Sequence, residues 1–507
     1  MKIFFPLLLA ISSLHSTLSA QTYHKTFGGS TSDDYAQEII HLEDGGFAIS
    51  GTTEGGLFLL RLDSEEDTVW IKKYFAEEEM AGAWVKRTPD NGFILVGHEE
   101  FTGFGPEDMV LIKLDENGTI LWSRRYGSMS DDKDYAAGVL IAEDGFYIAG
   151  EIESSPSQSN SVLMKLDTNG EMVWNHEFGW GSDDNIRALI SSPDGGCIAM
   201  GFTDSFGLFS ILLTKWSADG NLDWAGTYSN GQVCHGYGIN ATSEGYIISG
   251  ACGSSGGLGN TFDALLIKLN ESFEVIWAKE YSGPFYDGLA SAIELESGEY
   301  VSLGYTSSTG DYGNTFLMQT NSAGEFAWSR KYVDVSYSVG RSLVELADGY
   351  LVVGGEGTSD SEVFMVRTDL NGVSNCSDVV FEPAVSETNM NITLISTEPF
   401  ESMATIAMDL ETESGTDINV ICETIEVIET TAMPEGVYPN PFQETFTLNG
   451  TKRGGSIILY DMTGKSVLSQ TSTERSTAIN TSGLVSGMYM VSYSNANEIS
   501  NILVAKD

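Results

Sequence analysis

The sequence predicts an all-β fold, and three observations carry the prediction. A nine-residue phrase returns along the chain: LDENGTILW at 114–122 and LDTNGEMVW at 166–174, with looser copies at 62–70, 216–224, 269–277 and 320–328. A turn, a short apolar run and a glycine keep the same interval, ending at Gly51, Gly97, Gly150, Gly201, Gly250, Gly304 and Gly354. The runs between turns are rich in β-branched and aromatic residues and shorter than a helix requires.

Each repeat of about 50 residues holds four such runs. In the third they are DYAAGVLIA, GFYIAGEI, SVLMKLD and EMVWNHEF, separated by acid-Gly, Ser/Pro/Asn and Thr-Asn-Gly turns. Acid-Gly and Asn-Gly pairs suit tight hairpins because glycine adopts positive φ cheaply. A lone four-stranded meander cannot bury both faces, but seven arranged radially shield one another and leave only short protected edges. The expectation is a seven-bladed β-propeller over 21–376. The strand ending in the repeated glycine and the one after the inter-blade loop lie inward, and the tryptophan strand lies outermost against the adjacent blade.

Closure makes its own demand. TYHKTFG at 22–28 matches the tryptophan strand WSRRYG at 122–127, with Tyr23 in the place of Trp122 and Phe27 in that of Tyr126. The N-terminal strand is therefore expected to complete blade seven, and the chain near 373–376 to peel away.

Residues 1–20 read as a secretory signal: Lys2, the apolar FFPLLLAI, then a polar stretch ending at Ala20. No later segment approaches the length of an apolar membrane span. With 25 basic against 72 acidic side chains, a net −47, the chain repels nucleic-acid backbones, which excludes that partner class. Five cysteines leave one odd. Cys234 and Cys252 stand nearly opposite across a hairpin and could pair; Cys376 and Cys422 bracket the segment after the propeller and could form a second bridge. Cys197 reads as a buried small hydrophobe. From 377 to 433 the beat stops in an acidic connecting segment where NMNITLI, SMATIAMDL and DINVIC look like strands, either added to the propeller or forming a bridging unit.

Residues 434–507 read as a small β-sandwich of short alternating strands. Tyr438, Pro439, Asn440 and Pro441 open it, YDMTGK brings Gly464 and Lys465, and SGLVSGMYMV brings Gly487 and Tyr489. This pattern resembles the C-terminal sorting domain (type A-like) of proteins exported by the type IX secretion system of Bacteroidetes. The resemblance implies outer-membrane passage through that machinery, with the product released or attached to the cell surface. The propeller repeats resemble those of many such sorting-tailed proteins.

No catalytic constellation emerges. The histidines occupy different phases of the repeat with no HExxH or CxxC, so no metal site is assigned. GSSGG at 253–257 fits G-x-S-x-G in letters but lies between strands with no helix following. SADGNLDW at 217–224 approaches a sialidase Asp box, and LDENGTILW approaches a quinoprotein docking motif. Both phrases stabilise blades and do no chemistry. The inter-blade loops and those after the repeated glycine vary, and varied loops on a rigid scaffold are where recognition is built. Ten residues before the hairpin turn stand Asp34, Asp134, Asp184 and Asp287, with Met80, Cys234 and Ser338 in the other blades. These aspartates either start strands by bonding nearby backbone N–H groups or form an acidic mouth for Ca²⁺ or a cationic or sugar ligand. The reading is an exported binding or adhesion module for a glycan or protein ligand. A polysaccharide-active enzyme (glycosidase or lyase) using face carboxylates is the alternative, and a structural spacer of the cell surface the second.

Overall fold

The computed structural model describes residues 22–506 except 28–33, 54, 77–78, 101–106, 129–132, 156–157, 255–260, 309–312, 333–337, 357–361, 377, 381, 396–402, 407–410, 415–417, 425–436, 439–444, 450–455, 462–464, 473–475 and 496–497. The signal segment, Pro439, Asn440, Pro441 and Gly464 lie outside the described residues. All regular structure among the described residues is β, and no helix there is long and apolar enough to cross a membrane. The chain divides into two units, Met1–Thr424 and Ile425–Asp507.

In the first unit seven antiparallel sheets follow one another. Blade one holds Tyr35–His41, Phe47–Thr53, Gly56–Leu62 and Thr68–Phe75 from inside outward. The innermost strands of blades two to seven are Glu79–Arg87, Lys133–Ala142, Asp184–Ser191, Val233–Thr242, Asp287–Glu294 and Ser338–Leu346. Each packs against the innermost strand of the next blade, and the seventh against the first, so the sheets form a closed ring. The second and third strands of each blade, buried on both faces, supply the core between blades.

The recurring phrase is the seam between blades. Asp115 opens its turn by accepting backbone N–H bonds from Asn117 (2.9 Å) and Thr119 (2.7 Å). Asp63, Asp167, Asn270, Asn321 and Asp369 repeat the pair. The turn needs a residue at positive φ, filled by Gly118 at 71°. Trp70 of the preceding blade lies flat on this glycine, where an added Cβ would stand 2.9 Å from the indole. Four residues after the tryptophan, Tyr74 donates its hydroxyl to the Gly118 carbonyl at 2.9 Å. Tyr126, Tyr228, Tyr281 and Tyr332 do the same to Gly170, Phe273, Gly324 and Gly372. Blade three carries Phe178 at this position, buried against Trp216, so an apolar ring fits. Tyr126→Phe is therefore expected to cost only the bond and the orphaned Gly170 carbonyl, about 1–2 kcal/mol, read as a lower urea midpoint with unchanged slope.

The N-terminal strand Thr22–Phe27 pairs antiparallel with Glu362–Asp369, so both chain ends contribute to blade seven. Tyr23 stands opposite Arg367, as Trp122 does opposite Lys113 in blade two. The seam chemistry changes here. Blade one has Glu66 at φ 65° where blades two, three, four, six and seven have glycine and blade five has Phe273. The Glu66 carboxylate receives Arg367 Nε at 2.8 Å and the Tyr23 hydroxyl. Closure rests on a buried ion pair in place of a tryptophan on a glycine.

After blade seven the chain leaves for the outer edge of blade six and then travels backward around the ring. Asp378–Val380 pairs with the outer strand of blade six, Ala384–Glu387 with blade five and Asn391–Leu394 with blade four. Met403–Ile406 pairs with blade two, Glu411–Ser414 with blade one, and Ile418–Thr424 with the N-terminal strand in blade seven. All six pairings are antiparallel. The acidic segment is a belt that gives these six blades a fifth strand, and its last strand encloses Thr22–Phe27 against Glu362–Asp369.

The second unit has two sheets. One joins Val437–Tyr438, Thr445–Asn449 and Ser476–Asn480; the other orders Ser466–Thr471, Ser456–Asp461, Gly487–Asn495 and Glu498–Lys506. Leu448, Ile457, Leu459, Ile479, Tyr489, Val491 and Tyr493 form its core. Tyr438 lies on the first sheet opposite Thr447. Gly487 begins the strand carrying Tyr489, whose hydroxyl donates to the Val485 carbonyl at 2.7 Å. Lys465 precedes Ser466–Thr471.

Candidate functional site: the axial cavity

The seven positions singled out at the strand starts are structurally equivalent, because each faces the end of its blade's second strand. The cross-strand pairs are Asp184 with Thr203, Asp287 with Thr306, Cys234 with Cys252, Met80 with Glu99, Asp134 with Ile152 and Ser338 with Glu356. Asp34 adjoins the pair Tyr35 and Thr52. Asp34, Asp134, Asp184 and Asp287 are all buried. Asp287 accepts from Gly283 N (2.7 Å), Ser308 Oγ (2.8 Å) and Thr306 Oγ1. Asp184 accepts from Trp180 N (2.7 Å), Ser205 Oγ (2.9 Å) and Thr203 Oγ1. Each carboxylate ties the inter-blade loop to its own hairpin. Burial pushes the Asp287 carboxyl up to about 6 against the pull of those three bonds, and it raises Asp184 likewise. Blade five has a covalent tie at the same place: Cys234 and Cys252 are disulfide-bonded, 4.1 Å apart at Cα. Cys376 is also disulfide-bonded, while the side chain of Cys422 lies outside the described residues. Cys197 is free and buried.

Three residues beyond each of these positions the innermost strand bulges. The register shifts bracket Gln37, Ala83, Ala137, Arg187, Tyr237, Ala290 and Arg341, with Gly82 sharing the break in blade two. A bulge leaves its extra residue outside the ladder and re-aims the side chain. Gln37, Arg187, Tyr237, Ala290 and Arg341 duly line a cavity of about 900 Å³ on the ring's axis. Six blades contribute to it; Trp84, Phe202, His235, Tyr286 and Tyr305 are also in its wall.

The wall is polarised. A run of rings crosses blades four to six at the varied-loop end: Phe209 to Phe202 at 5.6 Å between centroids, Phe202 to His235 at 4.7 Å, His235 to Phe262 at 5.7 Å, Phe262 to Tyr286 at 5.4 Å, and Tyr286 to Tyr305 at 5.9 Å. The Tyr237 and Tyr286 hydroxyls meet at 3.0 Å, and Arg187 lies 5.4 Å from the Phe202 ring centroid. Burial, then the Arg187 charge, push the His235 imidazole below its ordinary value. On the adjoining loops Phe206 and Phe285 are about half exposed, at 49% and 53%, and Trp180 packs against Phe206.

Among the described residues no Asp or Glu is part of the cavity lining. Asp184 and Asp287 anchor the loops behind the loop face, Asp34 and Asp134 are buried, and the side chains brought together on the axis are bulge residues three positions later. The signal for them was present in the sequence as a fixed offset. Among the described residues no group of three or more His, Cys, Asp or Glu side chains is arranged to hold a metal ion.

Residues 436–505 match the secretion system C-terminal sorting domain family. The second unit is thus a sorting domain, and the protein is destined through the type IX secretion system for the cell surface or the extracellular space. No relative among curated proteins matches the chain. Among solved structures the chain is similar to PorZ, an essential bacterial surface component of the type IX secretion system of Porphyromonas gingivalis, at 12% identity and a TM-score of 0.31, covering 93% of this chain and 81% of that one. It is also similar to a GH43 glycoside hydrolase (9% identity, TM-score 0.27, 71% and 85% covered) and to Trypanosoma rangeli sialidase (11%, 0.32, 62% and 57%).

Proposed function

We propose that the protein is an exported binding or adhesion module, without a catalytic centre, whose ligand enters the axial cavity from the varied-loop side. On this reading the source is a member of the Bacteroidetes, the leader is removed after Ala20, and the tail is a type A-like sorting domain. The observation that carries the reading is the cavity itself. Its volume of about 900 Å³ falls at the upper end of the ~300–1,000 Å³ of ligand pockets, and flat rings with a few convergent polar groups are the usual lining of such sites. Rings held by a closed ring of sheets lose little freedom on binding. The test is a glycan panel on which the full chain is compared with Tyr305→Ala. Capture of at least one glycan that Tyr305→Ala weakens tenfold or more is expected. Capture indifferent to Tyr305, or turnover of the captured glycan, would overturn the reading, and turnover would favour the polysaccharide-active alternative.

A further inference from the structure

We infer that the axial cavity selects acidic sugars: the ligand carries uronate or sulfate groups that meet Arg187 and Arg341 while its ring faces lie on the aromatic wall. This inference rests on the cavity being the binding site. The two arginines occupy corresponding bulge positions on the innermost strands of blades four and seven, and both line the axial cavity. Both are exposed side chains, and among the described residues neither joins a salt bridge. What sets these two apart from the other basic side chains is that they stand in the cavity lining. Arg61, Lys86, Lys113, Arg124, Arg125, Lys165, Lys215, Lys279 and Arg367 all pair with carboxylates. With 72 acidic side chains against 25 basic ones, two guanidiniums kept apart from that excess mark a place for a foreign anion.

Arg187 also interacts electrostatically with Glu151 of blade three, whose carboxyl burial pushes up while the Arg187 charge pulls it down. The planar fork of a guanidinium matches a carboxylate or sulfate with two parallel bonds. The net charge of −47 opposes an anionic ligand at long range, yet the screening length at physiological salt is ~8 Å. At that range the charges in the cavity wall itself, Arg187 and Arg341 among the described lining residues, count for most. The remaining lining fits the rest of a sugar: Tyr237, Tyr286, Tyr305 and His235 each combine a flat apolar face with a polar edge, as a pyranose presents an apolar face and a hydroxyl rim. Phe206, Phe285 and Trp180 continue that surface onto the loops.

Calorimetric titration of the full chain with a galacturonate trisaccharide, the same trisaccharide reduced at its carboxyls, and an acidic hexapeptide tests the inference. The uronate form is expected to bind at least tenfold tighter than the reduced form. Arg187→Gln and Arg341→Gln should each lower uronate affinity tenfold or more and leave affinity for the reduced sugar unchanged, with melting temperature unaltered because both side chains are exposed. Equal affinity for the two sugars, no binding of either, unaffected Gln variants, or tighter binding of the peptide would each overturn it. Loss of reduced-sugar binding in Tyr305→Ala with indifferent Gln variants would leave the cavity as the site and remove only the acidic class. Selective uronate binding untouched by all three variants would instead remove the cavity as the site.

Discussion

Arg367→Met is expected to destabilise the propeller by about 3–5 kcal/mol, because it leaves the Glu66 carboxylate buried in the closing seam without its partner. The Glu66 and Arg367 side chains are each about 10% exposed or less and meet at 2.8 Å. Tyr23 supplies one further hydrogen bond to Glu66, and Asp348 holds the other side of the guanidinium at 2.7 Å. Pairing Arg367→Met with Glu66→Leu removes both charges and should recover most of the loss, as volume-matched apolar replacements of buried ion pairs do. The urea midpoints of wild type, single and double variants check this. The pH dependence has a definite sign. Burial already raises the Glu66 carboxyl despite the pull of Arg367, and removing Arg367 raises it further. A carboxyl whose folded value lies above its unfolded value binds more protons in the native state, so stability falls as pH rises between the two values. The deficit of Arg367→Met relative to wild type should therefore be smaller at pH 4 than at pH 8. An equal deficit at both, or no deficit, would show that the seam closes by packing alone.

The ring was legible in the sequence because its seam is local. Asp115, Gly118 and the Trp122 that ends the phrase lie within nine residues, so one blade's turn and outer strand are spelled together and return at each repeat. The same alignment put Tyr23 where Trp122 stands, and the strand register agrees. The axial lining was less legible. Arg187, Tyr237 and Arg341 differ in type, and what they share is a bulge, which depends on how two strands pair rather than on the residue's identity. The aspartates at the strand starts repeat in letters, and two of them, Asp184 and Asp287, hold loops through Thr203, Ser205, Thr306 and Ser308. The belt was legible only as strand-like words. Asp378–Val380, Ala384–Glu387 and Asn391–Leu394 are too short for alternation to be read, and their partners lie 46–168 residues earlier, while Glu411–Ser414 pairs with Lys72–Phe75 336–342 positions earlier.

The belt carries the other large expected effect. Replacing residues 378–424 with a Gly/Ser linker of equal length should turn the propeller into an associating species with a lower urea midpoint, even though every blade keeps its four own strands. The outer strands of blades one, two, four, five and six would each present a row of unpaired N–H and C=O groups, which is a template for pairing with another chain. Blade seven would lose more. Its outer strand Thr22–Phe27 is joined to the ring through pairing with Glu362–Asp369 on one edge and Ile418–Thr424 on the other, so without the belt the closing strand is held on one edge only. The belt also follows all seven blades in the chain and pairs with strands that must already be in place, which makes it the last part of the unit to dock. Sedimentation velocity across a concentration series, together with the urea midpoint, measures both consequences. A linker variant that stays monomeric with the wild-type midpoint would mean that the four-stranded blades protect their own outer edges.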